Sequence, residues 1–448
     1  MARILLTSTR QAGFVLPLTQ LAAALVQAGH EVFFLTGAAY EQRVRESGAT
    51  FVRLPYERDV AEPAPLPRPL HEENGVRQIA QTLRALFLEP MANEFRAVRA
   101  LSEQLGVDLI LTESLFVGAT VVGLLPRGER PAVLAVGLVP LPFSSIDVAP
   151  YGAGLAPIDG PLNLIRNAAL SVAAEHALLA GLRRDFIRTA ERLTGVRPRG
   201  PLFDLPLAAD AYAQLTVPAF EYPRRNLSPK VRFVGPLPPP ALGTMPDWWD
   251  YAERRPIVHV TQGTYANADP TELIVPTIRA LADEPVLVVA TTGGRPPSIV
   301  ADAYGGPLPG NARVASFLPY SHLLAASSVV VTSGGYGAVH HALRWGVPLV
   351  VSGTTEDKRE VNARVAWSGA GVNLGHQHAQ PEEVLAAVRQ VLADPRFRQA
   401  AGGFGRAIAE TDAAASVAAL VDELVAGRVI ALLGERRADA PASARHRA

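Results

Sequence analysis

The chain contains no cysteine. That excludes disulfides, thiolate metal sites and a cysteine nucleophile, and it fits a reducing, cytoplasmic compartment. Neither sign of charge is in excess, since Lys+Arg and Asp+Glu both number 42. A nucleic-acid or anionic-membrane partner needs a basic surplus to draw it in, so neither is expected. The apolar run at residues 4–6 is too short for a signal peptide. No stretch reaches about 18 uninterrupted apolar residues, so no transmembrane helix is expected. Internal repeats of about 20 to 50 residues are absent as well.

What is present is a globular composition, 48% hydrophobic and 19% charged over 448 residues. That length is too great for one ordinary core and implies more than one domain. Short apolar runs alternate with helical periodicity. "RILLT" precedes Leu18, Leu21, Ala22 and Leu25, spaced to share one helix face, and Gly29 stops the helix before "EVFFLT". Such alternation predicts a parallel sheet with helices on its faces, an α/β architecture. After "PAVLAVGL" comes a long irregular piece, "VPLPFSSIDVAPYGAGLAPIDGP", of a length that is often functional. A proline-rich segment ending in Trp248 and Trp249 reads as an interdomain linker. The expected division is an N-terminal domain 1–237, a linker 238–252, a C-terminal domain 253–430 and a disordered tail 431–448. Two such domains leave a cleft for a ligand.

One stretch carries chemistry: "VVVTSGGYGAVHH" at residues 329–341. A β-branched run turns on Gly334, Gly335 and Gly337, then starts a helix. A helix N-terminus offers unpaired N–H groups and positive dipole, and glycines let an anion come close, so a phosphate is the natural guest. The spacing is neither a dinucleotide fingerprint nor a P-loop. "FLPYSHLL" lies just upstream and "GTTEDK" follows the next strand. Loops after successive parallel strands gather on one edge, so the three should converge on a base, a phosphate and a sugar.

With these pieces in order, the sequence resembles the family 1 glycosyltransferases, the UDP-glycosyltransferase superfamily with the GT-B fold, and within it bacterial enzymes that glycosylate natural products. The resemblance rests on "GHEV" at 29–32, "RFVGPL" before the linker, "VTQGT" after it, and "SGGYGAVHHALRWGVPLVVSGTTEDKREVNARV". It covers nearly the whole chain. It implies two Rossmann-like domains facing across a cleft. It also implies inverting transfer of a sugar from a UDP- or dTDP-linked donor to a small acceptor, with no metal and no cofactor beyond that co-substrate. Carried over by position, Phe317, Leu318 and Pro319 line the nucleobase site, and Gly263 and Thr264 approach the diphosphate. Ser333, Gly334, Gly335 and Gly337 cradle it. Glu356, Asp357 and Lys358 meet sugar hydroxyls and diphosphate.

The departures from the family pattern bear on mechanism. Ser333 stands in place of the usual His of the anion turn, keeping a hydrogen-bond donor without the charge. Ala338 replaces a frequent Ser or Thr. His341 occupies the place of a ribose-binding Glu, and His340 hints at a dTDP donor. Lys358 in place of Gln could restore the positive charge lost at Ser333. The acceptor-activating His of Gly-His-x-x-Pro is absent, for the chain reads Gly13-Phe14-Val15-Leu16-Pro17. Phe14 cannot take a proton, and its expected role, with Gly13 and Phe143 nearby in the pocket, is to pack against an apolar acceptor.

Three residues are candidates to deprotonate the acceptor. Asp147 lies on the long loop after "PAVLAVGL", although it could equally fix its own turn with Ser144 and Ser145. Glu113, after "DLIL", could have a raised pKa if buried, or could cap the next helix. His71 lies in another long loop. The fourth alternative is that an acidic or carbon acceptor needs no side-chain base, so O-, N- and C-glycosylation stay open. An auxiliary or weakly catalytic member of the fold is a further alternative. His30 reads as structural, His376 and His378 as a surface loop, and the tryptophan pair as a pin for the linker.

Overall fold

A computed structural model of the chain describes residues 1–55, 81–239, 243–250, 253–264 and 267–438, the side chains as far as 427. The candidate base His71 lies outside the described residues. The N-terminal sheet has seven strands: β1 Arg3–Thr7, β2 Glu31–Thr36, β3 Thr50–Arg53, β4 Leu109–Glu113, β5 Ala132–Gly137, β6 Ala211–Gln214 and β7 Val231–Phe233. They are ordered β3-β2-β1-β4-β5-β6-β7. The C-terminal sheet has six: β8 Ile257–Thr261, β9 Leu287–Thr291, β10 Ala312–Ala315, β11 Ser327–Thr332, β12 Leu349–Val351 and β13 Gly371–Asn373, ordered β10-β9-β8-β11-β12-β13. Every pairing in both sheets is parallel. The runs that cover both faces follow from that: β4 and β5 are buried at every residue, as strands between two helical layers must be.

The order of each sheet reverses at one point, between β1 and β4 and between β8 and β11. At these switch points the chain leaves neighbouring strands in opposite directions, opening a crevice beyond their carboxyl ends. The glycine turn after β11 and the Glu113 that ends β4 therefore both sit where a ligand is accommodated.

The last helix, Ala413–Ala438, corrects two expectations. Its Val417 and Val421 are buried in one cluster with Leu18, Leu21, Leu109 and Leu134 of the N-terminal domain. The chain thus crosses back at 413, short of the boundary expected at 430. His30 of the "GHEV" turn faces Asp422 of this helix at 3.7 Å, a structural role. The helix also continues through 438, where a disordered tail was expected from 431; Ala, Leu, Glu and Arg there are good helix formers. Trp248 and Trp249 pack on Ile257, Leu287 and Leu318, pinning the linker to the C-terminal domain. Among the described residues no helix is long and apolar enough to cross a membrane.

The two domains are joined by a buried polar network. Arg364, with its side chain 1% exposed, donates through Nε and Nη2 to Glu221 Oε2 at 3.0 and 2.9 Å, and through Nη1 to Glu360 Oε2 at 2.9 Å. Its guanidinium also lies 4.3 Å from the Tyr222 ring centre. Glu221 and Tyr222 belong to the N-terminal domain, Arg364 and Glu360 to the C-terminal one. Gln214 Nε2 donates to the Tyr336 hydroxyl at 2.8 Å, and Thr216 Oγ1 pairs with His340 Nε2 at 2.6 Å. These contacts bring the carboxyl end of β6 against the start of the helix Tyr336–Arg344. The carboxyl edges of the two sheets therefore face each other. Removing Arg364 leaves two carboxylates buried without their cation, a defect that costs about 3–5 kcal/mol. Arg364→Ala should lower and separate the unfolding transitions of the two domains in calorimetry.

Candidate active site

The C-terminal half of the site is built by four loops. After β11, Gly334 takes φ +89°, and a Cβ there would lie 1.7 Å from Asn362 Oδ1, so only glycine fits. Gly335 is the N-cap of the nine-residue helix Tyr336–Arg344, with no side chain capping it. A Cβ at Gly335 or Gly337 would meet no heavy atom within 4 Å, so the helix N-terminus opens on free space. Gly263, after β8, is likewise open, with φ +76°, and Thr264 beside it is exposed. The geometry is that of an anion cradle.

Ser333 does not serve as expected. Its hydroxyl donates to the Gln262 carbonyl at 3.3 Å, so it ties the turn after β11 to the loop after β8. The loop after β12 closes on the same turn. A Cβ at Gly353 would sit 2.5 Å from Ser333 O and 3.0 Å from Lys358 Cδ. The stem of Lys358 thus runs beside the cradle. Its ammonium contacts Glu356 Oε2 at 3.0 Å and Thr355 Oγ1 at 2.8 Å. Glu356 has φ +57°, the one non-glycine residue with positive φ among the described residues. A carboxylate held in that strained conformation marks a functional turn. Asp357 is pushed up to about 7, first by burial and then by the charge of Glu356.

On the base side, Phe317 lies over Gly294, its ring carbons 3.1 Å from the position of an added Cβ. Leu318 is turned into the core with Ile257, Leu287 and Val289, so only its backbone remains for a ligand. Pro319 is the N-cap of the helix Tyr320–Ala326, whose Tyr320 ring is 6.0 Å from His341. His340 is not a donor contact. It is buried, its Nδ1 pairs with the Tyr336 carbonyl at 2.8 Å, and its Nε2 is taken by Thr216. Its hint of a dTDP donor therefore has no support in the geometry.

The N-terminal half centres on Glu113. It is wholly buried at the end of β4, where Thr7 and Thr112 link β1 and β4 through their hydroxyls at 2.7 Å. Its Oε1 accepts from Thr9 N at 2.9 Å and its Oε2 from Leu115 N at 3.3 Å. Among the described residues no cation pairs with it. Burial pushes its pKa up to about 7 against the lowering effect of those N–H groups. The loop it holds leads directly to the exposed Gly13 and half-buried Phe14, in the first turn of the helix Ala12–Gln27.

Asp147 is a different case. It accepts from Arg225 N at 2.7 Å and from Arg225 Nε at 2.9 Å, and Ser145 is in contact with it. These bonds hold its carboxyl below the usual carboxylate range, the wrong direction for a base near neutrality. It fixes its loop, as an aspartate of a turn does; Ser144 N is taken by Asp204 instead. Phe143 is also displaced from its expected place in the acceptor pocket. It is buried in the core, edge-on to Tyr212 at 4.8 Å.

Residues missed from sequence complete the picture. Asn362 and Glu360 face the glycine turn and the loop after β5, and their only prior signal was their place in the "DKREVNARV" run.

Comparison with known proteins bears on the family and the fold. Residues 300–426 match the erythromycin biosynthesis protein CIII-like C-terminal domain. The 4'-demethylrebeccamycin synthase of Lentzea aerocolonigenes is 39% identical over 434 residues, covering 95% of this chain and 100% of that protein. UDP-glycosyltransferase 2 of Phaeomoniella chlamydospora is 34% identical over 432 residues, covering 92% and 94%. In fold, the calicheamicin glycosyltransferase CalG4 superposes with TM-score 0.69 at 20% identity, covering 95% and 98%. Glycosyltransferase VinC, solved in complex with dTDP, superposes with TM-score 0.66 at 21% identity, covering 94% and 99%.

Two outcomes follow from the site itself. Gly334→Ala forces a methyl onto Asn362 in a left-handed turn, a strain of about 1–3 kcal/mol; titration calorimetry should show weaker binding of UDP and dTDP. For Glu113 the folded pKa of about 7 lies above the ordinary 4.5. The protonated form is favoured in the fold, so its stabilising contribution is full below the unfolded value and is lost as pH rises toward 7. Glu113→Gln should remove that loss, on the order of 3 kcal/mol at most. Its melting temperature should exceed that of the wild type at pH 8, and the advantage should vanish near pH 4.

Proposed function

Since the chain belongs to the family 1 glycosyltransferases of the natural-product type, with the GT-B fold, we propose that it moves a hexose or deoxyhexose from a UDP- or dTDP-linked donor to a small, largely apolar natural-product acceptor. The transfer inverts the anomeric centre, uses no metal, and takes place in the cytoplasm, with an acceptor oxygen favoured over nitrogen or carbon. The observation that carries this reading is the opposition of two switch points. An open helix N-terminus with Lys358 beside it faces a domain whose own switch point buries Glu113, a carboxyl with no cation partner among the described residues.

In this reading the diphosphate lies on the turn of Gly334, Gly335 and Gly337. As the bond to the anomeric carbon breaks, the N–H groups of the helix and the Lys358 ammonium receive the growing negative charge. The acceptor attacks from the face opposite the diphosphate, and its proton passes toward Glu113, whose raised pKa suits a base working near neutrality. Phe14, in the place of the family histidine, packs against the acceptor. Ile146, Ile158, Leu162 and Ile165 are exposed on and beside the loop after β5, which fits an apolar partner.

The test is product formation by mass spectrometry. The protein is incubated in chelator with UDP- and dTDP-sugars against phenols, flavonoids, indoles and macrolides, and the expected result is the mass gain of one sugar. Nucleotide binding without product on every pair would favour the auxiliary reading instead. With a working pair, Glu113→Gln should lower kcat by about 10²–10⁴-fold. It should also flatten the rise of rate near pH 7, whereas Asp147→Asn should leave the midpoint of that rise in place.

A further inference from the structure

The loop after β5 is tied down almost entirely by its own domain. Asn163 Nδ2 donates to Asp147 O at 2.8 Å, Asn167 Nδ2 to Ile146 O at 3.2 Å, and Arg166 Nη2 to Ala156 O at 3.1 Å. Asn163 Oδ1 accepts from Ile158 N at 3.2 Å. The helix that supplies these groups, Pro161–Ala173, turns its asparagines inward and leaves Leu162, Ile165 and Val172 exposed. Its inner face exists to hold the loop.

The tip, residues 150–154, is the exception. It reaches across to the other domain. Gly152 N and Gly154 N both donate to Glu360 Oε1, at 2.9 and 2.8 Å. Both glycines are left-handed, at φ +94° and +63°, which lets two amides two residues apart converge on one oxygen. A Cβ at Gly154 would already lie 3.1 Å from Arg359 Cβ. Just before the first of these glycines stands Tyr151, its ring 5.6 Å from Phe203. Burial, and after it the charges of Asp357 and Glu360, push its phenol well up. Glu360 lies in the first turn of the helix Lys358–Trp367, directly after that turn.

We propose that Glu360 is a positioning residue for sugar transfer, docking the tip of the loop after β5 beside the 356–358 turn. This rests on the reading of 356–358 as the turn that meets the donor sugar. Glu360 uses one oxygen for the tip and the other for Arg364, so the same carboxylate that closes the domain interface also sets the loop. The consequence is a coupling: whatever moves the tip on acceptor binding moves the turn that holds the sugar.

The experiment compares three variants with the wild type by hydrogen exchange of the 150–154 peptide and by steady-state kinetics. Glu360→Ala removes the tip's acceptor. Glu221→Gln weakens the Arg364 clamp while keeping an oxygen for Leu141 N, its neighbour at 3.0 Å. Glu360→Gln keeps an acceptor oxygen and covers the case in which the alanine variant fails to fold. A hydrogen bond to a charged group contributes about 1.5–3 kcal/mol, so loss of the carboxylate should speed exchange of the tip about tenfold or more. The KM for acceptor should rise about as much, with the dissociation constant for UDP or dTDP unchanged. Glu221→Gln should leave tip exchange at the wild-type rate, and Glu360→Gln should fall between wild type and alanine. Wild-type tip exchange in Glu360→Ala, or equal acceleration in Glu221→Gln, would overturn the proposal, since the carboxylate would then be one more part of the interface. If the exchange pattern appears but no acceptor is ever glycosylated by the wild type, the docking stands and the transferase reading is what fails.

Discussion

A guanidinium sealed between two domains is the constraint on which the rest of this molecule depends. Arg364 has its side chain 1% exposed, and the Coulombic attraction of Glu221 and Glu360 must offset the loss of its hydration. Three hydrogen bonds to carboxylate oxygens and the face of Tyr222 provide that offset. A pair of apolar residues could hold two domains together as tightly. It would not fix their relative rotation, because apolar contact is non-directional. The planar fork of an arginine does, and rotation is what decides whether the cradle after β11 faces the carboxyl at the end of β4. His340 and Tyr336 strengthen the same alignment from the first turns of the anion-facing helix. Residues that seemed to belong to ligand recognition are spent on aligning the half-sites.

That division of labour explains the chemistry left in the pocket. With His340 committed to Thr216 and Ser333 to Gln262, the cradle offers backbone N–H groups with Lys358 beside them. A diphosphate needs little more. Backbone amides at a helix end are fixed in place and need no reorganisation when charge arrives. The lysine is itself restrained by Glu356, whose left-handed backbone turns its carboxylate toward the ammonium. A bound anion would compete for that ammonium, so release of Glu356 toward a sugar hydroxyl is the natural counterpart of diphosphate binding.

Much of this was legible in the residues alone, and what was not has a common physical cause. The alternating strands, the glycine turn and the loops that surround it were readable because each is set by neighbours within a few positions. The errors at the site came from partners far away in sequence. Asp147 looked like a free acid until Arg225, 78 residues on, filled its oxygens. Phe143 looked like a pocket wall until Tyr212 took its edge. His340 looked like a ligand contact until Thr216, in the other domain, took its ring nitrogen. The apolar residues of the last helix recur at helical spacing, but a periodicity names only the face and never the surface it will cover. Nothing local could assign Val417 and Val421 to the N-terminal core.

In the proposed mechanism Glu113 takes the part of the histidine that the family pattern places at Phe14. A solvated carboxylate is a poor proton acceptor for a hydroxyl whose pKa is near 10, because the transfer runs uphill by about 8 kcal/mol. Burial at the end of β4 moves Glu113 to about 7 and removes on the order of 3 kcal/mol of that climb. The same burial makes the charged form costly, so taking up a proton relieves the protein rather than burdening it. A histidine reaches the neutral range by its own chemistry and can stand at the surface of the pocket. A carboxyl reaches it only by being hidden, as Glu113 is against the N–H groups of Thr9 and Leu115. In the proposed mechanism the change of His to Phe at position 14 therefore leaves a proton acceptor at this end of the sheet, the buried Glu113.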